Sequence, residues 1–138
     1  MFFDNGFGRT MDILHRSMDV NLLRQDVIAN NIANADTPNF KRSAVNFETQ
    51  LRDALEGPRE PRFQAALTNE KHIPFREPVD YQDVRPTRFL DTQTTAKNNG
   101  NNVDIEQESM NLLNNELMYT MLTNSISSQL SRVNLVLR

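Results

Sequence analysis

The chain has no cysteine and no tryptophan among its 138 residues, only four glycines and six prolines, and no cluster of lysine or arginine. The missing thiols exclude a disulfide framework, a thiolate nucleophile and a Cys-ligated zinc or iron-sulfur centre. A net charge of -3 and a pI near 5.3 leave no electrostatic footprint for nucleic-acid phosphates. No run of apolar residues approaches the roughly 18 needed to cross a membrane. The start brings Asp4 almost at once, with no basic stretch ahead of an apolar one, which is not the pattern of a Sec signal peptide. At 38% hydrophobic, 7% aromatic and a mean hydropathy of -0.61, the chain can bury a modest core and is expected to cover part of its apolar surface with a partner. What it has in abundance is asparagine, with 17 of them.

Proline and glycine divide the chain. All six prolines fall between positions 38 and 86, whereas 9–37 and 101–138 contain neither Pro nor Gly, so both ends are free to be long helices. In the first, Met11, Leu14, Met18, Leu22, Gln25, Ile28 and Ile32 recur at three- and four-residue steps, predicting a helix from about Thr10 to Ala35. Asn34, Asp36, Thr37 and Pro38 supply its stop. The last helix is expected to start near Asp104, with Gln107 completing a capping box and Glu106 and Glu108 favouring the positive dipole end. Its apolar stripe is Tyr119, Leu122, Ile126, Leu130, Val133 and Leu137, with Met110, Leu113, Leu117 and Met121 as an adjoining row. From Ser109 to Ser131 the only charge is Glu116, and the other non-apolar positions are Asn, Thr, Ser and Gln. A helix so poor in charge, and too polar for a lipid span, is expected to be surrounded by other protein.

The division is therefore 1–42, 43–100 and 101–138. In the middle part, Phe47, Leu51, Ala54 and Leu55 predict a short third helix ended by Gly57 and Pro58. Arg62–Leu67 and His72–Val84 are candidates for short strands or an irregular hairpin, and 92–102 reads as a polar, mobile link.

The residues offer little catalytic chemistry. His15 and His72 lie far apart, and the one calcium-loop-like string would put Thr95 and Lys97 at ligand positions, which lysine defeats. Pairs such as Asp80 with Asp83, or Glu106 with Glu108, fit solvated surface or helix-start roles better than acid-base catalysis. No nucleophile elbow, zinc helix, P-loop or dinucleotide fingerprint is present. No catalytic residue, metal or cofactor is expected, and the chain is not expected to be an enzyme. The segment that stands out is LRQDVIANNIANADTPNFKR, residues 23–42. In it Asn34 is a natural helix cap. Asn30 and Asn31 are either merely exposed, or Asn30 and Asn34, four apart on one face beside Ile28 and Ile32, form an amide row bonding to adjacent helices. Phe40 is placed to anchor the exit turn.

That segment resembles the N-terminal signature of bacterial flagellar rod and hook axial proteins, an ANNIAN-type string followed by a Thr and an aromatic. Asn46-Phe47-Glu48 with Leu51, NNVDIEQE at 101–108 and NELMYTML at 115–122 extend the resemblance to both ends. The resemblance implies a mainly α fold, with long N- and C-terminal helices paired in a coiled-coil-like layer, a short third helix and a small irregular, β-containing middle. It implies a structural subunit of the proximal rod, exported by the flagellar type III apparatus without a cleaved signal and polymerised in the periplasm. The implied partners are further copies of the chain, FlgC-like and FlgF-like rod proteins, the rod-base adaptor FliE, and the MS ring and export gate. Carried over residue by residue, the subunit-packing positions are Leu23, Ile28, Asn30, Asn31, Ile32, Asn34, Thr37, Pro38, Phe40, Val103, Asp104, Leu117, Tyr119, Leu122 and Ile126. The alternatives are another short, FlgC-like rod protein or a helical adaptor or secretion chaperone. The adaptor would not explain the charge-poor stretch.

Overall fold

The computed structural model describes residues 5–57, 68–69, 71–72 and 79–137. Its elements are α1 (Gly6–Ala33), β1 (Ser43–Asn46), α2 (Glu48–Glu56), β2 (Thr87–Leu90) and α3 (Ile105–Val136). The architecture is mainly α, with long first and last helices and one two-stranded sheet. The chain forms two compact units, one of Met1–Val45 with Arg88–Arg138 and one of Asn46–Thr87.

In the first unit α1 begins four residues earlier than the apolar pattern predicts. Asn5 is the reason: its Oδ1 accepts from the Gly8 N–H at 2.8 Å, which caps the helix and draws Gly6 and Gly8 into its first turn. Asn34 ends the helix, with its N–H turned back to the carbonyls of Asn30 and Asn31. The start of α3 follows the prediction. Asp104 Oδ1 accepts from Glu106 N at 2.9 Å and Gln107 N at 3.3 Å. The capping box is one-sided, however, because Gln107 sends its amide forward to Asn111 instead of back to the cap.

The two helices pack together and run antiparallel. Asn31 near the end of α1 meets Glu108 near the start of α3, Asn21 meets Asn115, and Phe7 shares a hollow with Val133 and Val136. The buried face of α1 carries Val20, Asn21, Val27, Ile28 and Asn31, whereas Leu22 and Gln25, which the apolar count puts on the stripe, are exposed. The true stripe is shifted by about one residue because amides fill part of it. Burial in this unit is unusually polar: Val20, Val27, Ile28, Ala35 and Val103 lie among buried Asn21, Asn31, Ser43, Asn101, Asn102, Glu108 and Asn115.

Arg42 accepts, through its carbonyl, the N–H of Asp91 at 3.0 Å, so the start of β1 lies beside the end of β2 and the strands are antiparallel. The strands therefore fall at 43–46 and 87–90. Candidate strand 62–67 lies outside the described residues, as do 73–78 of the other candidate, whose described part makes a turn at 81–83. The 92–102 segment is ordered by hydrogen bonds rather than a loose link. Asp91 accepts from Gln93 N and Thr94 Oγ1, and Asn101 O accepts from the N–H groups of Ala96 and Lys97. Its polarity reflects hydrogen-bond demand.

In the second unit Phe47, Leu51 and Val84 are the buried apolar residues, and α2 matches the predicted third helix. Gly57 closes it with its N–H on Asp53 O at 2.9 Å. A Cβ there would stand 2.6 Å from that oxygen, so the turn admits only glycine without shifting.

Candidate functional site

The last carbonyls of α1 are met locally by the N–H groups of Asn34 and Ala35, and the carbonyls of the turn just past it find donors more than sixty positions away. Asn101 Nδ2 donates to the carbonyls of Asn34, Ala35 and Thr37 at 2.9–3.0 Å. Lys97 Nζ adds a bond to Ala35 O at 2.8 Å and pairs with Asp36 at 3.3 Å, placing a cation at the negative end of the helix. Asn101 Oδ1 takes the Val103 N–H at 2.6 Å, which aligns the chain for the start of α3. The turn that delivers Asn101 needs two left-handed residues, Asn39 at φ 58° and Gly100 at φ 78°. A Cβ on Gly100 would come within 2.6 Å of Asn39 Oδ1.

Beside this cap lies a buried carboxylate. Glu108 is 1% exposed; its Oε1 meets the Arg42 guanidinium at 2.8 Å and its Oε2 accepts from Asn31 Nδ2 at 2.9 Å. Asn31, fully buried, also exchanges two bonds with the backbone of Ser43, donating to its carbonyl at 2.9 Å and accepting from its N–H at 3.0 Å. Its side chain thus stands in for a neighbouring strand at the first residue of β1. Asn102 ties the other side, accepting from Arg42 N at 2.7 Å and donating to Asp91 O and Thr94 Oγ1. Helix α1, both strand ends and α3 therefore share one connected polar clamp. Such a buried ion pair contributes less to net stability than to fixing one arrangement, but removing either partner strands the other.

Further along the helix pair Asn115 Nδ2 donates to the Asn21 carbonyl at 2.9 Å, and Asn21 Nδ2 to Ser17 O at 2.7 Å. The side-chain oxygens of both asparagines and the Arg42 Nε are buried and form no hydrogen bond among the described residues. All three residues line a groove of about 330 Å³ bounded by α1, β1 and α3. On its other face α3 exposes Met110, Leu113, Leu117 and Met121, a row of apolar side chains 51–63% exposed.

The predicted packing residues divide into three groups. Ile28, Asn31 and Val103 are buried, and Leu23, Ile32, Asn34, Phe40, Tyr119, Leu122 and Ile126 are half-buried. Asn30, Thr37, Pro38, Asp104 and Leu117 are exposed. Of the three amides, Asn34 is the cap and Asn30 lends it a carbonyl, while Asn31 bonds within its own chain. The clamp residues Arg42, Ser43, Lys97, Asn101, Asn102 and Glu108 and the pair Asn21 and Asn115 were absent from the sequence-based set. One signal points to some of them: the stripe Tyr119, Leu122, Ile126, extended backwards at helical steps, passes through Asn115 and Glu108. Counting apolar residues alone stops it at Tyr119.

The arrangement aligns and holds helices. Among the described residues no group of three or more His, Asp or Glu side chains could hold a metal, and no helix is long and apolar enough to cross a membrane. Comparison with known proteins matches the same segments. Residues 16–41, which include Asn21 and Asn31, fit the family described as flagella basal body rod protein. The chain is 43% identical over 134 residues to the flagellar basal body rod protein FlgB of Borrelia hermsii, covering 97% of this chain and 99% of that one. The chain belongs to the FlgB family of flagellar basal body rod proteins. FlgB of Borreliella burgdorferi is 42% identical over the same shares of the two chains, and FlgB of Bacillus subtilis is 30% identical over 95% of each. The FlgB likeness thus spans the clamp, the groove and α3 together.

Proposed function

We propose that the chain is a structural subunit of the proximal flagellar rod, which polymerises through α1 and α3 into the wall of a stiff axial tube. The observation that carries this reading is the outward row Met110, Leu113, Leu117 and Met121 on a helix with a single charge between Ser109 and Ser131. Full burial of such a side chain gains about 1.5–3 kcal/mol, and these, already half covered, each have roughly half of that still to gain. Neighbouring subunits are the natural cover in a rod, and close-packed helices resist the sliding that torque would impose.

On this reading the terminal helices and their half-buried residues, Leu23, Ile32, Phe40, Tyr119, Leu122 and Ile126, complete their packing against other subunits. The exposed Asn30, Thr37 and Pro38 lie at the outer side of the α1 end, available to neighbours. Working divisions at 1–42, 43–100 and 101–138 then separate the two assembling helices from a middle that decorates the tube. The chain works by stiffness, without catalysis or a cofactor. It reaches the periplasm through the flagellar type III apparatus, and it meets further copies, FlgC-like and FlgF-like rod proteins, FliE, and the MS ring and export gate. Electron cryo-tomography of basal bodies in a strain lacking the chain tests this. Rings and export apparatus without a rod are expected, and an intact rod would overturn the reading.

A further inference from the structure

We infer that the groove between α1, β1 and α3 is a receptor for the uncharged ridge of α3 from a second copy of this chain, with Asn124 as the residue that enters it. This rests on the rod reading and names the contact through which copies join. The groove is built for a hydrogen-bonding guest. Its walls carry two buried amide oxygens, from Asn21 and Asn115, that accept nothing, and one buried guanidinium N–H, from Arg42, that donates nothing. Buried groups of this kind are costly when left unmet. Two acceptors and one donor are the complement of a single carboxamide, which offers two N–H donors and one oxygen. Around them Val27, Ile28, Val45 and Met118 give an apolar lining. At about 330 Å³ the groove is too small for a helix and large enough for a few side chains projecting from one.

The guest is neutral. The Arg42 charge is already held by Glu108, so the unmet groups of the groove ask for hydrogen bonds and not for a counter-ion. The longest stretch of this chain without Asp, Glu, Lys or Arg is 117–131, inside α3. Its inner side, Tyr119, Leu122 and Ile126, is half-buried, whereas Leu117, Met121, Asn124 and Ser128 share the outer side and are exposed. Three hydroxyls next to it are spent, since Thr120, Thr123 and Ser125 donate to the carbonyls of Glu116, Tyr119 and Met121. Asn124 is the one exposed carboxamide in that stretch, with Leu117 and Met121 two turns and one turn ahead of it to meet the apolar lining.

The absence of native cysteine allows a direct test in assembled basal bodies. Two single variants, Asn114→Cys at the groove and Asn124→Cys on the ridge, are co-expressed in place of the chain, and isolated basal bodies are oxidised. A disulfide-linked dimer joining positions 114 and 124 is expected at least tenfold above a control pairing of Asn114→Cys with Gln93→Cys. A second pair, Met118→Cys with Met121→Cys, serves if the first impairs motility. Motile cells whose basal bodies give no such dimer from either pair, or give only 124-to-124 dimers, overturn the inference and leave the rod reading standing. So does a link from the groove to a different protein. Within the chain Asn124→Asp is expected to lower the linkage tenfold or more, measured as Leu117→Cys to Asn114→Cys dimer, while Asn124→Gln retains it. Equal linkage in both variants would also overturn the inference. A strain lacking the chain that still builds its rod is the separate result that would fail the rod reading itself.

Discussion

The two ends of the α1–α3 pair are built differently. Where α1 finishes and α3 starts, between Val20 and Ala35 and between Val103 and Asn115, the buried residues concentrate and the side chains of Asn31, Asn101, Asn102 and Glu108 all have named partners. From Glu116 to Leu137, by contrast, no residue is fully buried, and Leu135, Val136 and Leu137 are largely in the open. The contrast teaches that the subunit fixes one end by itself and leaves the other to be completed by assembly. Specificity is supplied at the clamp by polar groups that accept only one geometry, and adhesion at the far end by apolar groups that tolerate many.

Breaking the far end should have the largest effect on the cell and the smallest on the isolated chain. Leu117→Asp with Leu122→Asp is expected to abolish motility. Leu117→Asp alone, at an exposed site, should also block rod growth while shifting unfolding free energy by about 0.5 kcal/mol or less in urea titration. Breaking the clamp should do the reverse. Arg42→Ala leaves the Glu108 carboxylate buried without its cation, at a cost of about 3–5 kcal/mol by the same titration, and Arg42→Met with Glu108→Leu should regain much of it. Asn101→Ala removes the donor to three carbonyls and is expected to cost about 1–3 kcal/mol, read as faster hydrogen exchange over 28–34. The smallest effect concerns Asp91. Its carboxyl is held below the usual carboxylate value of 3.8, first by the Thr94 hydroxyl and then by backbone N–H groups. A lowered folded pKa means this contribution is present above pH 3.8 and lost as pH falls through the folded value. Asp91→Asn should therefore lower stability slightly at neutral pH, leave it unchanged at low pH where the native carboxyl is already protonated, and so flatten the acid limb of the stability curve.

Much of the fold was legible in the chain. The absence of Pro and Gly from both ends, Asp104 as a cap and Gly57 as a stop placed α3 and α2 closely. The phase of α1 was harder, because Asn21 and Asn31 occupy the buried face and an apolar count slides past them to Leu22 and Gln25. The 92–102 segment misled for the same reason. Asn101 and Asn102 look like loop filler in a string, and only the spatial meeting of positions 34–37, 42 and 91 gives their amides work. Glu108 sat in the first turn of α3, where dipole chemistry alone accounts for an acid, so its role as a buried counter-ion was hidden behind a sufficient local explanation.

The clamp also constrains the order of events. Its bonds join positions 77 residues apart at Asn31 and Glu108 and 66 apart at Ala35 and Asn101. Closing a loop of that size costs roughly 4 kcal/mol of chain entropy before any contact repays it, and contacts so distant form late. Synthesis from the N-terminus completes α1 long before Glu108 is made, so the junction cannot lock on a partial chain. It sets only once Asn101 and Glu108 have both emerged, which makes the clamp a timer as well as a joint.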